Sequence, residues 1–138
     1  MSQRAAHRCF VCGPANPLGL RLHFTLAGDE AHTDFVPGPH HVGYEGAVHG
    51  GILTAVLDDA MANLFALRGE EAVTMRMEVR FRRPVAPGVP LRVTGRVVRV
   101  KSRVVTAEAR AVTHDGTVVA EAEGTFMRRP LEPSRAGV

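Results

Sequence analysis

The stretch His49-Gly50-Gly51-Ile52-Leu53-Thr54-Ala55-Val56-Leu57-Asp58-Asp59-Ala60-Met61-Ala62-Asn63-Leu64-Phe65-Ala66-Leu67-Arg68-Gly69 decides how the whole chain folds. From Gly50 to Arg68 there is no proline, and Ala, Leu and Met recur. That predicts a helix of about five turns. Gly69 is a natural stop just past its end, with Arg68 in the last turn. Ile52, Leu53, Val56, Leu57, Ala60, Met61, Leu64 and Phe65 cover most of the circumference. A helix apolar nearly all round is buried, so the rest of the chain must wrap it.

Everything after the helix reads as strand. Met75, Met77, Val79 and Phe81 alternate with Arg76, Glu78, Arg80 and Arg82. Pro84 to Pro90 connects to three long strands, Leu91–Lys101, Arg103–His114 and Thr117–Arg128. Ten of the 19 valines fall between Val89 and Val119, as β-branching favours. Asp115-Gly116 marks a hairpin turn, and Val97-Val98 breaks the alternation, which predicts a bulge. Ahead of the helix, Leu20, Leu22, Phe24 and Leu26 alternate with Arg21, His23 and Thr25, so Gly19–Leu26 reads as a strand. Gly28-Asp29 is a turn, Glu30–Val36 a second strand, and Pro37–Gly43 a loop. Residues 1–18 form an irregular lead-in and 130–138 a frayed tail. Two strands, one helix and long antiparallel strands make an α+β fold. We expect one domain over residues 1–138, with five to six strands around a central helix.

Composition excludes other classes. Apolar residues are 45% and charged residues 22%, ordinary for a globular protein and wrong for a disordered or low-complexity chain. No apolar run approaches the ~20 residues of a membrane span. The start, Met1-Ser2-Gln3-Arg4, lacks the apolar stretch of a secretory signal, so a cytoplasmic location is expected. Trp is absent and aromatics are 5%, so aliphatics must supply the core. A core this small gains from pairing with a second subunit.

Two adjacent carboxylates, Asp58 and Asp59, sit inside the apolar helix. Burying an ionised group costs several kcal/mol unless it is paired. Neighbouring residues point about 100° apart, so the two cannot share one environment. Either both lie on an exposed edge, or one faces a cleft. Upstream, His49-Gly50-Gly51 opens the helix. Glycines there are poor for stability but let another molecule approach free backbone N–H groups. A helix N-terminus offers unpaired donors and partial positive charge, which can polarise a carbonyl and hold an oxyanion. In isolation His-Gly-Gly reads equally as a tight loop-to-helix turn.

Together, the run Gly43-Tyr44-Glu45-Gly46-Ala47-Val48-His49-Gly50-Gly51 with Asp58 nine positions after His49 resembles the hotdog-fold acyl-CoA thioesterases of the phenylacetate-degradation type. Cys9-Phe10-Val11-Cys12-Gly13-Pro14-Ala15-Asn16-Pro17-Leu18-Gly19-Leu20 is similar to a subgroup of that superfamily, and Phe81-Arg82-Arg83-Pro84-Val85 matches its strand end after the helix. The resemblance covers about residues 9–128. It implies a homodimer with one continuous sheet, active sites at the subunit interface, and in many members a tetramer. It implies that backbone N–H groups at His49, Gly50 and Gly51 of one subunit polarise a thioester carbonyl. Asp58 of the other acts as general base on water, or as nucleophile through an anhydride. Thr74 matches a Ser/Thr position near the attacking water. Some relatives carry asparagine where this chain has Gly43; Glu45 either substitutes or is solvated. By alternation Thr74 lies on the Arg76 face, so it reaches the site only if the strand start is irregular. Asp59 reads as structural. Thr54, Met61 and Phe65 are expected to line the acyl pocket, with His40 and His41 either bordering it or exposed.

The net charge of +3 rests on 16 arginines and one lysine. Residues 76–110 hold nine arginines and Lys101 against Glu78 and Glu108, a surplus of eight. Arginine binds phosphate bidentately, and coenzyme A is phosphate-rich. The resemblance places Arg82, Arg83, Lys101, Ser102 and Arg103 along its nucleotide, as part of the substrate with no separate cofactor. A nucleic-acid module is disfavoured because the chain has only Tyr44 and six Phe, with no aromatic pair interleaved on the basic strands. A non-catalytic acyl-CoA-binding protein on the same scaffold is the alternative to the enzyme. Cys9 and Cys12 exclude a disulfide framework. They are two of the four ligands that structural zinc wants, and only His7 and His23 stand near in sequence to complete the set. A tight turn capping the sheet, without metal, is expected.

Overall fold

A computed structural model describes residues 7–130. Residues 1–6 of the expected lead-in and 131–138 of the expected tail lie outside the described residues. The elements are β1 (Thr25–Ala27), β2 (Glu30–Phe35), α1 (Gly50–Ala66), β3 (Glu70–Phe81), β4 (Leu91–Lys101), β5 (Val104–Thr113) and β6 (Val118–Pro130). The strands form one antiparallel sheet in the order β1-β2-β4-β5-β6-β3. Its inner face curves around α1, which packs on β2 through β6. No helix among the described residues is long and apolar enough to cross a membrane.

The helix can lie close because the sheet beneath it is built from small residues. Ala107, Ala109 and Ala111 of β5 and Ala120 and Ala122 of β6 face inward and are buried. The bulk comes from the helix, through Leu53, Val56, Leu57, Met61, Leu64 and Phe65. Gly95 of β4 is the point of closest approach: a Cβ there would lie 2.5 Å from the Ala60 carbonyl oxygen. A backbone oxygen cannot swing aside as a side chain can. Gly95→Ala is therefore expected to cost about 1–3 kcal/mol, as overpacking does, read as a lowered urea midpoint with unchanged slope.

Most predicted elements are present, and the differences have causes. Of Gly19–Leu26 only the last two residues are strand, in β1, which spans Thr25–Ala27. Arg21 adopts φ +54, a left-handed conformation, and the N–H groups of Leu20 and Leu22 bond to the carbonyls of Phe10 and Val11. The alternation still sorts burial, with Phe24 inside and Arg21 and His23 outside. The helix ends at Ala66, before the expected Arg68, and Gly69 follows at φ +78. β6 runs on to Pro130, which was expected to open the tail. The register slips between Val97 and Arg99, at the expected bulge.

The two sheet edges are unlike. One is β1, three residues long. The other is β3, twelve residues long, paired only on its β6 side. β3 exposes Val73, Met75 and Phe81, each by more than half.

Candidate active site

The first part of the site is the start of α1. His49 is its N-cap, extended at φ −62 and ψ 131. Its Nδ1 accepts the Gly51 N–H at 2.7 Å, and its carbonyl accepts those of Ile52 and Leu53 at 3.0 and 3.2 Å. With Nδ1 accepting, the neutral ring carries its proton on Nε2. Among the described residues the Gly50 N–H has no protein partner. The expectation that His49, Gly50 and Gly51 all present donors thus narrows to Gly50, because the cap takes the Gly51 N–H and the His41 carbonyl takes that of His49. Gly50 also lies flat against Phe81, where a Cβ would stand 3.3 Å from two ring carbons. The His49 N–H bonds to the His41 carbonyl and the Val48 N–H to that of Val85, which fixes the helix start to both flanking segments. Between them lies a recess of about 290 Å³, with Gly50, Leu53, Phe81, Arg82, Arg83 and Val85 in its wall.

The second part is Asp58. Thr74 Oγ1 donates to Asp58 Oδ1 at 2.9 Å. Strict alternation points Thr74 away, but the β3–β6 register shifts between Thr74 and Arg76. This bulge turns the strand's early residues over and brings the hydroxyl to the helix. Burial raises the Asp58 pKa, and the Thr74 hydrogen bond opposes that in part. No lysine, arginine or histidine pairs with Asp58 among the described residues. Asp59 turns to the opposite side. It accepts a hydrogen bond from Asn63 Nδ2 at 3.1 Å and has Cys9 Sγ at 3.5 Å. Burial is the main cause of its pKa rising to about 7.

One chain does not join the two parts. Asp58 lies eight residue steps along the helix from Gly50, about 12 Å along the axis. The basic residues are split as well. Arg82 and Arg83 follow the Phe81 end of β3, which pairs with Ala120. The Lys101-Ser102-Arg103 turn lies at the opposite end, where Val104 meets Met127 and Met127 meets Val73. The surplus of positive charge is also smaller in space than in sequence. Glu121 reaches Arg82 at 2.7 Å and Asp34 reaches Arg92 at 3.1 Å, both from outside the basic segment, and Glu108 pairs with Arg96.

Met61 and Phe65 do not line a pocket; both are core residues, 0% and 2% exposed. Thr54 is half-buried, with its hydroxyl on the Gly50 carbonyl at 2.8 Å. Glu45 and His40 are exposed. His41 pins its own loop: Nδ1 accepts the Gly38 N–H at 2.8 Å, and the ring lies against Phe35. Sequence reasoning missed Phe81 as the wall beside Gly50, and missed the meeting of Asp59 with Cys9 and Cys12. Asn63, polar and one turn after Asp59 on an apolar helix, was the available signal for the latter.

Residues 45–120 match the model of the thioesterase superfamily. The mouse (Mus musculus) acyl-coenzyme A thioesterase THEM5 is 28% identical over 99 residues, which is 71% of this chain and 40% of that protein. The chain thus spans well under half the length of that relative. Among solved structures, the thioesterase superfamily protein RHA08564 superposes with a TM-score of 0.79 at 29% identity, over 85% of this chain and 61% of the other. A phenylacetic acid degradation-related protein of Ralstonia eutropha JMP134 superposes with a TM-score of 0.69 at 28% identity, over 78% and 85% of the two chains.

Proposed function

The chain belongs to the thioesterase superfamily, and on that footing we propose that it hydrolyses an acyl-CoA or aryl-CoA thioester to a carboxylate and free coenzyme A. The observation that carries the reading is the hydrogen bond from Thr74 to Asp58. It holds Oδ1 of a half-buried carboxylate and leaves Oδ2 to take a proton from water. The water adds to the thioester carbonyl, whose oxygen gains charge and is met by the Gly50 N–H at the positive end of α1. The tetrahedral intermediate collapses, the C–S bond breaks, and the thiolate of coenzyme A recovers the proton from Asp58. In the anhydride route the same carboxylate attacks the carbonyl carbon directly and the C–S bond breaks to expel the thiolate; water then hydrolyses the mixed anhydride, releasing the acid, restoring Asp58 and supplying the proton that the thiolate takes up.

The site needs two chains in this reading. β3 has an unpaired long edge, and antiparallel pairing of two copies there makes one continuous sheet. A two-fold axis normal to the sheet near the middle of β3 brings the Thr74 end of one protomer beside the Phe81 end of the other. Asp58 of the first then meets Gly50 of the second. The same operation brings the Lys101-Ser102-Arg103 turn of one protomer to the sheet end that holds Arg82 and Arg83 of the other. Those residues then flank the phosphates of the coenzyme.

The test is a panel of acyl-CoA and aryl-CoA esters of varied chain length, followed by release of free thiol. Saturable turnover on at least one class is expected. Binding by calorimetry with no turnover across the panel overturns the reading in favour of a non-catalytic CoA-ester binder. Two variants probe its parts. Thr74→Val removes a hydrogen bond to a charged group, worth about 1.5–3 kcal/mol, and is expected to lower kcat by about tenfold or more with KM little changed. Arg83→Ala removes one phosphate contact and is expected to raise KM about tenfold at constant kcat, as losing a charge-assisted hydrogen bond of ~1.4 kcal/mol would.

A further inference from the structure

Cys9, Cys12 and Asp59 take no part in the chemistry above, yet their donor atoms lie within 4.8 Å of one another. We propose that these three side chains form a site for a zinc-class divalent ion that straps residues 9–13 to α1.

The turn that carries the cysteines is built to hold two sulfurs together. The Gly13 N–H bonds to the Cys9 carbonyl at 2.8 Å, and the Cys12 N–H lies 3.5 Å from Cys9 Sγ. Any Cβ on Gly13 would collide with the backbone of Cys9, so the turn closes only on glycine. Val11, between the cysteines, is buried, and its carbonyl accepts the Leu22 N–H at 2.9 Å. This fastens the turn to the core with both sulfurs against the helix. On the helix side Asp59 presents Oδ1 to Cys9 Sγ at 3.5 Å. Asn63, itself buried, steadies that carboxylate from below, with Nδ2 3.1 Å from Oδ2 and 2.9 Å from the Asp59 carbonyl. The same Nδ2 stands 3.9 Å from Cys12 Sγ. A ligating carboxylate is commonly held by an outer partner of this kind.

Donors on a tetrahedral zinc stand about 3.3–3.8 Å apart, given Zn–S and Zn–O bonds near 2.3 and 2.0–2.2 Å. The present cluster needs only a small contraction to reach that. Two sulfurs and one oxygen select zinc or its soft neighbours over magnesium or calcium. A metal also accounts for a largely buried carboxylate beside two thiols with no basic partner among the described residues. His7 and His23, which spacing alone would nominate, are not among the converging donors. Three protein donors leave the fourth corner to water or a small ligand.

The experiment uses the full chain with its thiols reduced, loaded with Zn²⁺ or Co²⁺. Stoichiometric uptake is expected. The Co²⁺ form should show thiolate-to-cobalt charge transfer in the near ultraviolet and intense tetrahedral bands in the visible. Cys9→Ser and Cys12→Ser should abolish the charge-transfer band or weaken it sharply. Asp59→Asn keeps the Asn63 contact and should lower affinity by about tenfold or more, read by competition with a chelator. Removing the ion should lower the Tm. Circular dichroism checks that each variant folds; should a serine variant fail, the wild-type spectrum and Asp59→Asn still decide. No uptake, a Co²⁺ spectrum without thiolate bands, unchanged affinity in Asp59→Asn, or a Cys9–Cys12 disulfide formed in the presence of zinc would each overturn the assignment.

Discussion

An Asp58→Asn protein is expected to hydrolyse its best thioester about a thousandfold more slowly than the wild type, the middle of the range for losing a general base. The substitution is close to isosteric. The Thr74 hydroxyl can still donate to the side-chain oxygen it now holds at 2.9 Å. What disappears is the free oxygen that accepts the proton. The same change relieves a partly buried charge, so stability should hold or rise slightly. KM is expected to move little, because the Gly50 N–H and the basic residues remain. Steady-state kinetics with calorimetric binding checks both halves; a large loss of binding would make Asp58 a structural residue. In ¹⁸O-water, label in Asp58 after a single turnover of the wild type would require an anhydride opened by water at the Asp58 carbonyl, whereas the general-base route labels only the carboxylate product. The shared site can be tested in the same series. Gly50→Pro removes the free donor at the first helical position, where the missing N–H costs the helix nothing, and Phe81 must give way slightly to its ring. Mixed dimers of Asp58→Asn and Gly50→Pro chains contain one intact site and should regain activity that neither parent has. Verified heterodimers without recovery would count against pairing through β3.

The largest loss of stability is expected from Phe126→Ala, about 3–5 kcal/mol in a fold whose whole margin is about 5–15 kcal/mol. Phe126 is fully buried, and its ring centroid lies 5.6 Å from that of Phe65. The chain makes room for it deliberately: a Cβ on Gly124 would stand 2.8 Å from the Phe126 ring. The alanines around it on β5 and β6 are too short to fill the space it would leave. Phe126 is also the register partner of Thr74 across β3 and β6 and of Val105 across β5. Its removal hollows the sheet beside the bulge that aims Thr74 at Asp58. Urea unfolding should show a larger midpoint drop than that of Gly95→Ala. A cost below about 1 kcal/mol would mean that the core collapses around the gap.

The helix was legible from a proline-free run rich in Ala, Leu and Met, and the four long strands from alternation or clustered valines sustained over many residues. Elements fixed by contacts distant in sequence were not. Gly19–Leu26 has the alternation of a strand, yet the carbonyls of Phe10 and Val11 claim its first N–H groups. Thr74 read as facing away because alternation counts along one strand, while the slip that turns it exists only between β3 and β6. The arginine surplus looked larger than it is because Asp34 and Glu121 come from outside the counted segment. The carboxylate pair stood out on an apolar helix, the choice of Asp58 within it came from the resemblance, and its link to Thr74 is a fact of packing. That Gly50 and not Gly51 offers its N–H depends on the ring of His49, which spacing cannot orient.

The inequality of the two sheet edges limits growth. A β-sheet with two long open edges is a polymer unit, since each added copy presents a fresh edge to the next. Here β1 is three residues long and offers little to extend, while β3 offers twelve. Each molecule therefore carries one usable seam, and using it on a second copy consumes the seam of both. Were two copies to pair there, as proposed above, strand addition would stop at two, and no exposed long edge would be left to propagate into a fibre.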